Sequence, residues 1–199
     1  MQGLDKLNRQ WVAVGCSHAA ILTSMADTLA WSALDAADLD RQSLYDVLAL
    51  RSAVFVVEQD CAYQDLDGLD LVDGTVHVLG KDGGSASERG TRVPLSEASR
   101  ESSRVSVSAY ARVLAPDDEH PTPRIGRVIV ASEARGRQLA RELMAQAIEV
   151  CEARWPGPIE LGAQAHLTGF YGSLGFEPVG EPYDEDGIQH QWMRREPSR

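Results

Sequence analysis

The sequence predicts an α/β (α+β) fold in which a mixed β-sheet carries helices on its faces. A β-branched run at 125–130 is followed by a short polar turn and then by a long amphipathic helix. Other apolar runs of strand length lie on both sides of this unit, and two further segments have helical character. The resulting order, β-α-loop-β-β-β-α-β-α-β-β, is typical of one sheet flanked by helices.

The first half of the chain supplies two strands and one helix. Residues 41–53 carry apolar side chains at helical spacing, after a polar segment that favours helix initiation. We expect the helix to end in a buried apolar run at 54–57. A loop with six acidic residues follows at 58–73. The strands are predicted at 28–34 and 75–80.

The second half alternates strands with two helices. Strands are predicted at 107–114, 124–131, 159–165, 176–179 and 190–193, the last two around a turn at 183–187. The long helix begins near Gly136 and stops near Arg154, because Pro156 and Pro158 follow. A short helix at 167–174 is closed by Gly175.

Composition bounds the organisation of the chain. We expect one domain at 28–196 after a flexible extension at 1–27, with a flexible insertion at 82–106, a segment with almost no apolar residues. The net charge of −11 argues against nucleic-acid binding, and no apolar run has transmembrane length. The cysteines lack metal-ligand spacing, which favours a reducing cytoplasm and a protein without a metal. Either a monomer or a homodimer is compatible with the sequence.

Positive charge is concentrated where the predicted fourth strand meets the long helix. Arg127, Arg135, Arg137 and Arg141 lie within fifteen residues, opposed by Glu133 alone. In an acidic chain, such a cluster at a helix N-terminus indicates an anion site. The usual ligand is a phosphate, which open N–H groups and the helix dipole hold.

Three segments resemble the GNAT N-acetyltransferase superfamily. Residues 135–140 are similar to its acetyl-CoA pyrophosphate loop, Q/R-x-x-G-x-G/A, with Gln138 at the first small position. Residues 51–70 and 164–176, the latter continued at 183–190, are similar to the ElaA-like branch of that superfamily. The resemblance extends over about residues 28–194.

The resemblance implies the GNAT fold, with a mostly antiparallel twisted sheet flanked by helices and a V-shaped splay between the fourth and fifth strands. It also implies acetyl-CoA as co-substrate. Main-chain groups of Val128, Ile129 and Val130 are then expected to bind the pantetheine arm. The residues expected to hold the pyrophosphate are Arg135, Gly136, Arg137, Gln138, Leu139, Ala140 and Arg141.

The resemblance further implies direct attack of a neutral amine on the thioester, without an acyl-enzyme. Tyr171 matches the tyrosine that protonates the departing CoA thiolate in relatives. The attacking amine needs a base, for which Glu58 is the first candidate because it follows a buried apolar run. Asp67, Asp70 and His190 are the next candidates, and we also expect them to bind the acceptor.

We therefore expect an acetyltransferase that acts on a primary amine of a small molecule or peptide, with the acidic loop attracting a cationic acceptor. Two alternatives remain open at this point. One is a non-catalytic acyl-CoA sensor or partner-binding domain on the same fold, which the departure at Gln138 keeps possible. The other is a metal-dependent hydrolase, whose ligands lack tight spacing: Asp67, Asp70, Asp184, Glu185 and His190.

Overall fold

The computed structural model describes residues 29–60, 63–82, 107–185 and 187–197. The predicted N-terminal extension and nearly all of the predicted insertion lie outside these residues. Within them, the strands are β1 (Leu29–Asp35), β2 (Val76–Asp82), β3 (Val107–Leu114), β4 (Arg124–Val130), β5 (Ile159–Gln164), β6 (Glu177–Pro178), β7 (Tyr183–Glu185) and β8 (Ile188–Arg195). The α-helices are α1 (Arg41–Arg51), α2 (Leu139–Arg154) and α3 (Thr168–Gly172).

The described strands form one mixed sheet, which confirms the predicted fold class. Their order is β1-β2-β3-β4-β5-β8-β6, and β7 pairs with β8. All the pairings are antiparallel except that of β4 with β5, which is parallel. The parallel pair stands at the centre of the sheet, so the sheet divides there into two antiparallel halves.

Two hydrophobic clusters form the core, one on each face of the antiparallel half of the sheet made by β1 to β4. On one face, α2 packs its apolar stripe against β3, and the buried stripe contains Leu139, Leu143, Met144, Ala147 and Cys151. On the other face, Val47 of α1 packs with Leu79, Tyr110 and Ile129. Each such side chain contributes about 1.5–3 kcal/mol by leaving water. In the described ranges, no helix has the length and apolar character needed to cross a membrane.

Helix α1 begins after a capping residue and ends at Arg51, and a π-helical segment carries the chain past the predicted end of the helix at residue 53. The Asp40 side chain accepts hydrogen bonds from the N–H groups of Gln42 and Ser43, as an N-cap does. After Arg51 the chain adopts a π-helical segment, Ser52–Glu58, which closes with an i→i+5 hydrogen bond from the Gln59 N–H to the Val54 carbonyl.

The wider turn changes which side chains of this segment face the core. Val54 is buried, whereas Val56 and Val57 are 46% and 79% exposed. The prediction of a buried run at 54–57 is therefore correct for Val54 and wrong for the two later valines. A π-helical turn holds more residues than an α-helical one, so the α-helical period no longer tells which positions are inside.

The predicted turn at 183–187 is a β-hairpin with a strand of its own. Tyr183 pairs with His190 and Glu185 pairs with Ile188, so β7 lies along the beginning of β8. Gly187 has a φ of 82° at the reversal, a conformation that glycine adopts without a steric penalty. This hairpin brings polar and aromatic side chains against one face of β5 and β8.

Candidate active site

The parallel strands β4 and β5 meet at one end and separate at the other. Their pairing is limited to Arg124 and Glu160, where both strands begin. A cavity of about 410 Å³ occupies the gap beyond this pair, and residues of both strands line it. This is the V-shaped splay that the resemblance predicts. A gap of this size is in the range that holds small ligands.

A β-bulge in β4 lies beside the gap. The register with β3 moves from Tyr110–Ile129 to Arg112–Gly126, so two residues of β4 stand opposite one residue of β3. Arg127 takes up the extra residue with a left-handed φ of 53°. The bulge interrupts the hydrogen-bonding ladder at the edge where the resemblance expects the pantetheine arm.

The three residues predicted to bind pantetheine occupy different environments. Val128 lines the cavity. Ile129 is buried in the core on the α1 side and pairs with Tyr110. The carbonyl of Val130, at the end of β4, accepts a hydrogen bond of 3.2 Å from Arg135 Nε.

The predicted pyrophosphate loop leads directly into α2. Gly136 has a φ of 80°, and Gln138, the N-cap of α2, has φ 60° and ψ 13°. The first N–H groups of the helix, those of Leu139 and Ala140, lack intrahelical acceptors and carry the positive end of the dipole. Gln138 thus adopts a left-handed backbone conformation, which is strained for most residues but not for glycine. This explains why the superfamily pattern has a small residue at this position.

The arginines of this loop are held by neighbouring side chains. Arg135 forms a bidentate ion pair with Glu58, with Nη–Oε distances of 2.6 and 2.8 Å. Arg141 donates to Ser173 Oγ at 3.0 Å. The hydrogen bonds from Arg135 hold the pKa of the Glu58 carboxyl below its usual value. Glu58 is not among the residues that line the cavity.

Tyr171 of α3 lines the cavity from the β5 side. Its ring is edge-on to Phe170 and Phe176, with centroid separations of 5.1 and 6.2 Å. Burial raises the pKa of the phenol to about 12. The neighbouring rings fix the orientation of Tyr171, so its hydroxyl can act as a proton donor at one defined place.

The acidic loop is bound to the sheet through six charged groups, which we call the ion cluster. Its members are Arg51, Asp65, Asp67, Asp70, Arg112 and Arg127. Both oxygens of Asp67 accept from Arg112, at 2.7 and 2.5 Å. Burial alone would raise the pKa of Asp67, but the hydrogen bonds from Arg112 and the nearby charges lower it to about 2.

Asp70 lies deeper in the ion cluster than the sequence suggests. Its Oδ1 accepts from Arg51 Nη1 at 2.6 Å and from Arg112 Nη1 at 2.8 Å. Asp70 is buried and is not among the cavity-lining residues, whereas Asp67 is. Because three guanidinium groups balance three carboxylates, the cluster carries no net charge. The expected attraction of a cationic acceptor by this loop has no support in this arrangement.

His77 extends the ion cluster into the core. Its Nε2 is 2.8 Å from the Asp70 carbonyl, which can only accept, so Nε2 carries the proton. Nδ1 then accepts from the Tyr110 hydroxyl at 2.9 Å. Burial lowers the pKa of His77, which keeps the ring neutral.

Three stacked rings form the other wall of the cavity, and we call this the aromatic wall. Tyr183 stacks with both His190 and Trp192, with centroid separations of 5.7 and 6.0 Å and interplanar angles of 28° and 22°. All three residues line the cavity, as does Glu185. Sequence reasoning missed Tyr183 and Trp192. The available signal was the alternation of His190 and Trp192 along one strand, which places both on one face.

Glycine in β5 makes room for this wall. A Cβ on Gly162 would stand 2.7 Å from the Tyr183 hydroxyl, so any side chain there would displace the tyrosine. His190 is fixed through Nδ1, which donates to the Ile188 carbonyl at 2.9 Å. In the neutral ring, Nε2 therefore carries the lone pair. Across the described residues, no group of three or more His, Cys, Asp or Glu side chains has a metal-binding arrangement.

Comparisons with known proteins agree with this geometry. A family model for the acetyltransferase (GNAT) domain matches residues 102–197. Protein ElaA of Escherichia coli (strain K12) is 43% identical over 167 residues, which are 83% of this chain and 95% of that protein.

Two solved structures are similar over nearly their whole length. The crystal structure of Escherichia coli ElaA has a TM-score of 0.69 and 42% identity, over 85% of this chain and 100% of that one. An acyl-CoA N-acyltransferase from Pseudomonas aeruginosa has a TM-score of 0.70 and 40% identity, over 84% of this chain and 99% of that one.

Proposed function

Since the chain belongs to the ElaA-like branch of the GNAT acetyltransferase family, we propose that it transfers an acetyl group from acetyl-CoA to a primary amine of a small molecule or peptide. The observation that carries this proposal is the cavity between β4 and β5 with Tyr171 among its lining residues. Acetyl-CoA supplies the acyl group as an activated thioester, and the remaining requirements are binding, orientation and proton transfer.

The loop that begins α2 suits a diphosphate. Gly136 and Gln138 turn the chain so that the first N–H groups of α2 stay open, and no atom of the described residues beyond its chain neighbours lies within 4 Å of the place where a Cβ on Gly136 would stand. Arg135 and Arg141 lie at the surface, so their guanidinium groups can move to phosphate oxygens at little energetic cost. We assign the diphosphate to residues 135–141 and the pantetheine arm to the main chain of residues 128–130.

Tyr171 is the proposed proton donor to the CoA thiolate. A phenol with a pKa of about 12 stays protonated throughout the physiological range, so it holds a proton whenever the thiolate forms. Desolvation in the partly enclosed cavity raises the proton affinity of the thiolate as it does that of the phenol. A hydrogen bond from Tyr171 therefore stabilises the thiolate, and the proton passes along it. Tyr171 then recovers a proton from solvent.

We propose that His190 is the base that accepts the proton of the attacking amine. Its Nε2 has the lone pair, and the ring lines the cavity. Glu58, the first candidate from the sequence, has both oxygens bound to Arg135 and a lowered pKa, which makes it a weaker base. We propose that Glu58 instead orients Arg135. Asp67 shapes the cavity wall on the opposite side, and Asp70 supports Asp67 from within the ion cluster.

The test is release of free CoA thiol, measured with acetyl-CoA and a panel of amines. Tyr171→Phe should lower kcat by about 10²-fold while the dissociation constant for CoA stays within about twofold. Tyr45→Phe is the matched control, because Tyr45 is exposed on α1 and does not line the cavity. CoA binding without thiol release, for every amine tried, would contradict a catalytic function and support a sensor. Unchanged turnover in Tyr171→Phe would remove this residue from the mechanism.

A further inference from the structure

We propose that the amine acceptor is an arylalkylamine, a primary amine on a short chain that ends in a planar ring, bound through that ring to the aromatic wall. This inference rests on the proposed acetyltransfer and names the acceptor class. The wall consists of Tyr183, His190 and Trp192, as defined above. Two other observations support it: the apolar side chains that share the cavity, and the distribution of charge around it.

The aromatic wall has an open end. Tyr183 stacks with each of the other two rings, and its hydroxyl is set against Gly162. Trp192, the outer ring, lines the cavity and is 36% exposed, although it is a large aromatic residue. Stacked rings continue well with one more planar group, since offset stacking adds stability beyond simple burial. A ligand ring placed on Trp192 would extend the stack.

The rest of the lining suits the same ligand. Phe55, Leu69 and Leu167 reach the cavity from three separate segments and add apolar surface. A planar ring can therefore contact apolar atoms on several sides. A peptide lysine or a linear polyamine brings only a flexible chain, which loses more conformational entropy on binding and covers less of this surface.

Charge argues against an acceptor with several positive groups. Among the described residues that line the cavity, the acids are Asp67 and Glu185, and Arg112 and Arg127 already bind Asp67. Arg112, Arg124 and Arg127 also line the cavity. A polyamine would thus place extra ammonium groups among guanidinium groups. A single ammonium has one available carboxylate, that of Glu185.

Glu185 and His190 suit one amine at the inner end of the wall. Glu185 Oε2 is 3.9 Å from His190 Nδ1, so the carboxylate and the imidazole are adjacent. The carboxylate attracts the protonated amine, and Nε2 of His190 accepts the proton that the amine must lose before it attacks. His190 and Trp192 are two residues apart on one face of β8, about 7 Å along the strand. An acceptor with its ring on Trp192 and its amine near His190 therefore needs only a short spacer, as arylalkylamines have.

The experiment compares four acceptors in the thiol-release assay: tryptamine, 2-phenylethylamine, hexylamine and spermidine. We expect kcat/KM to be at least about tenfold higher for the two aromatic amines than for the other two. Trp192→Leu should raise KM for tryptamine about tenfold, while KM for hexylamine and for acetyl-CoA changes less than about threefold. Trp192→Phe should restore most of the loss, because a ring is present again.

Two controls separate the outcomes. Tyr45→Leu, at an exposed aromatic residue outside the cavity, should leave every KM unchanged. Calorimetric titration of tryptamine and hexylamine into the CoA-bound protein measures their dissociation constants, and so tests binding at the aromatic wall separately from turnover. If tryptamine binds more tightly than hexylamine but no thiol is released, the proposed acetyltransfer is refuted and the aromatic binding site is supported. Equal kcat/KM for tryptamine and hexylamine, or a preference for spermidine, would overturn the inference even if acetyltransfer is confirmed.

Discussion

Replacing Asp70 with Asn should lower the free energy of unfolding by about 3 kcal/mol. Asp70 Oδ1 accepts from two buried guanidinium groups, at 2.6 Å from Arg51 and 2.8 Å from Arg112. Removal of one partner from a buried ion pair costs about 3–5 kcal/mol, because the remaining charge stays in a poorly solvated place. We take the lower end of this range, since Asp65 and Asp67 still bind the two arginines.

The assay is urea unfolding followed by circular dichroism, with thermal unfolding as a second measurement. For a chain of this size, 1 kcal/mol changes Tm by about 2–4 °C, so Asp70→Asn should lower Tm by roughly 6–12 °C. The slope of the urea transition should not change, which separates lost stability from a changed unfolded state. Asp73→Asn is the matched control, because Asp73 is exposed next to the same loop and should change stability by less than about 0.5 kcal/mol.

The reasoning would be refuted by a loss below about 1 kcal/mol, the amount expected from an ordinary hydrogen bond. It would also be refuted if the folded Asp70→Asn variant bound CoA much more weakly than the wild type. The ion cluster supports the cavity wall, whereas the diphosphate is proposed to bind at a different place, the loop before α2. Loss of Asp70 therefore does not alter the proposed CoA contacts. The variant should therefore lose stability without losing CoA affinity at temperatures where it is folded.

Three further predictions concern the loop, the base and pH. Gln138→Gly should keep the free energy of unfolding within about 1 kcal/mol, whereas Gln138→Val should lower it by about 1 kcal/mol in urea unfolding, because φ is 60°. Glu58→Gln should leave kcat within about threefold and weaken CoA binding in a titration, because Arg135 loses the carboxylate that orients it, while a fall of about 10²-fold in kcat would restore Glu58 as the base. Tm should fall below about pH 6.5, since the pKa of His77 is lowered in the folded state and the unfolded chain binds the proton first. A second fall should follow between about pH 4 and 2, and it should be smaller in Asp67→Asn.

The elements at the proposed co-substrate end of the gap were predictable because their signals are local. A β-branched run, a polar turn and an apolar stripe fix β4 and α2 within one stretch of chain. Breakers at Pro156 and Pro158 end α2 at Arg154, as predicted. The resemblance supplied the splay and the role proposed for Tyr171, which periodicity alone does not contain.

The acceptor end was not predictable in the same way, because its contacts join distant parts of the chain. Arg51 occupies a position of the apolar stripe of α1, and its burial depends on carboxylates 14 and 19 residues later. The pairing of Arg127 with Asp65 spans 62 residues. A sequence reveals these charges but not which of them neutralise one another, so the loop was expected to attract cations.

Because one end of the gap is built from local contacts and the other from contacts between distant segments, the two ends should differ in how well they tolerate substitutions. The proposed diphosphate site at residues 135–141 relies on main-chain N–H groups and exposed arginines, so single side chains there can vary with small effects on stability. The wall at the other end is fixed by buried ion pairs, by stacked rings and by the space at Gly162. Trp192 is the most exposed of the three stacked rings, since Tyr183 and His190 are both partly buried. Substitution at Trp192 should therefore change acceptor selectivity at the least cost in folding stability.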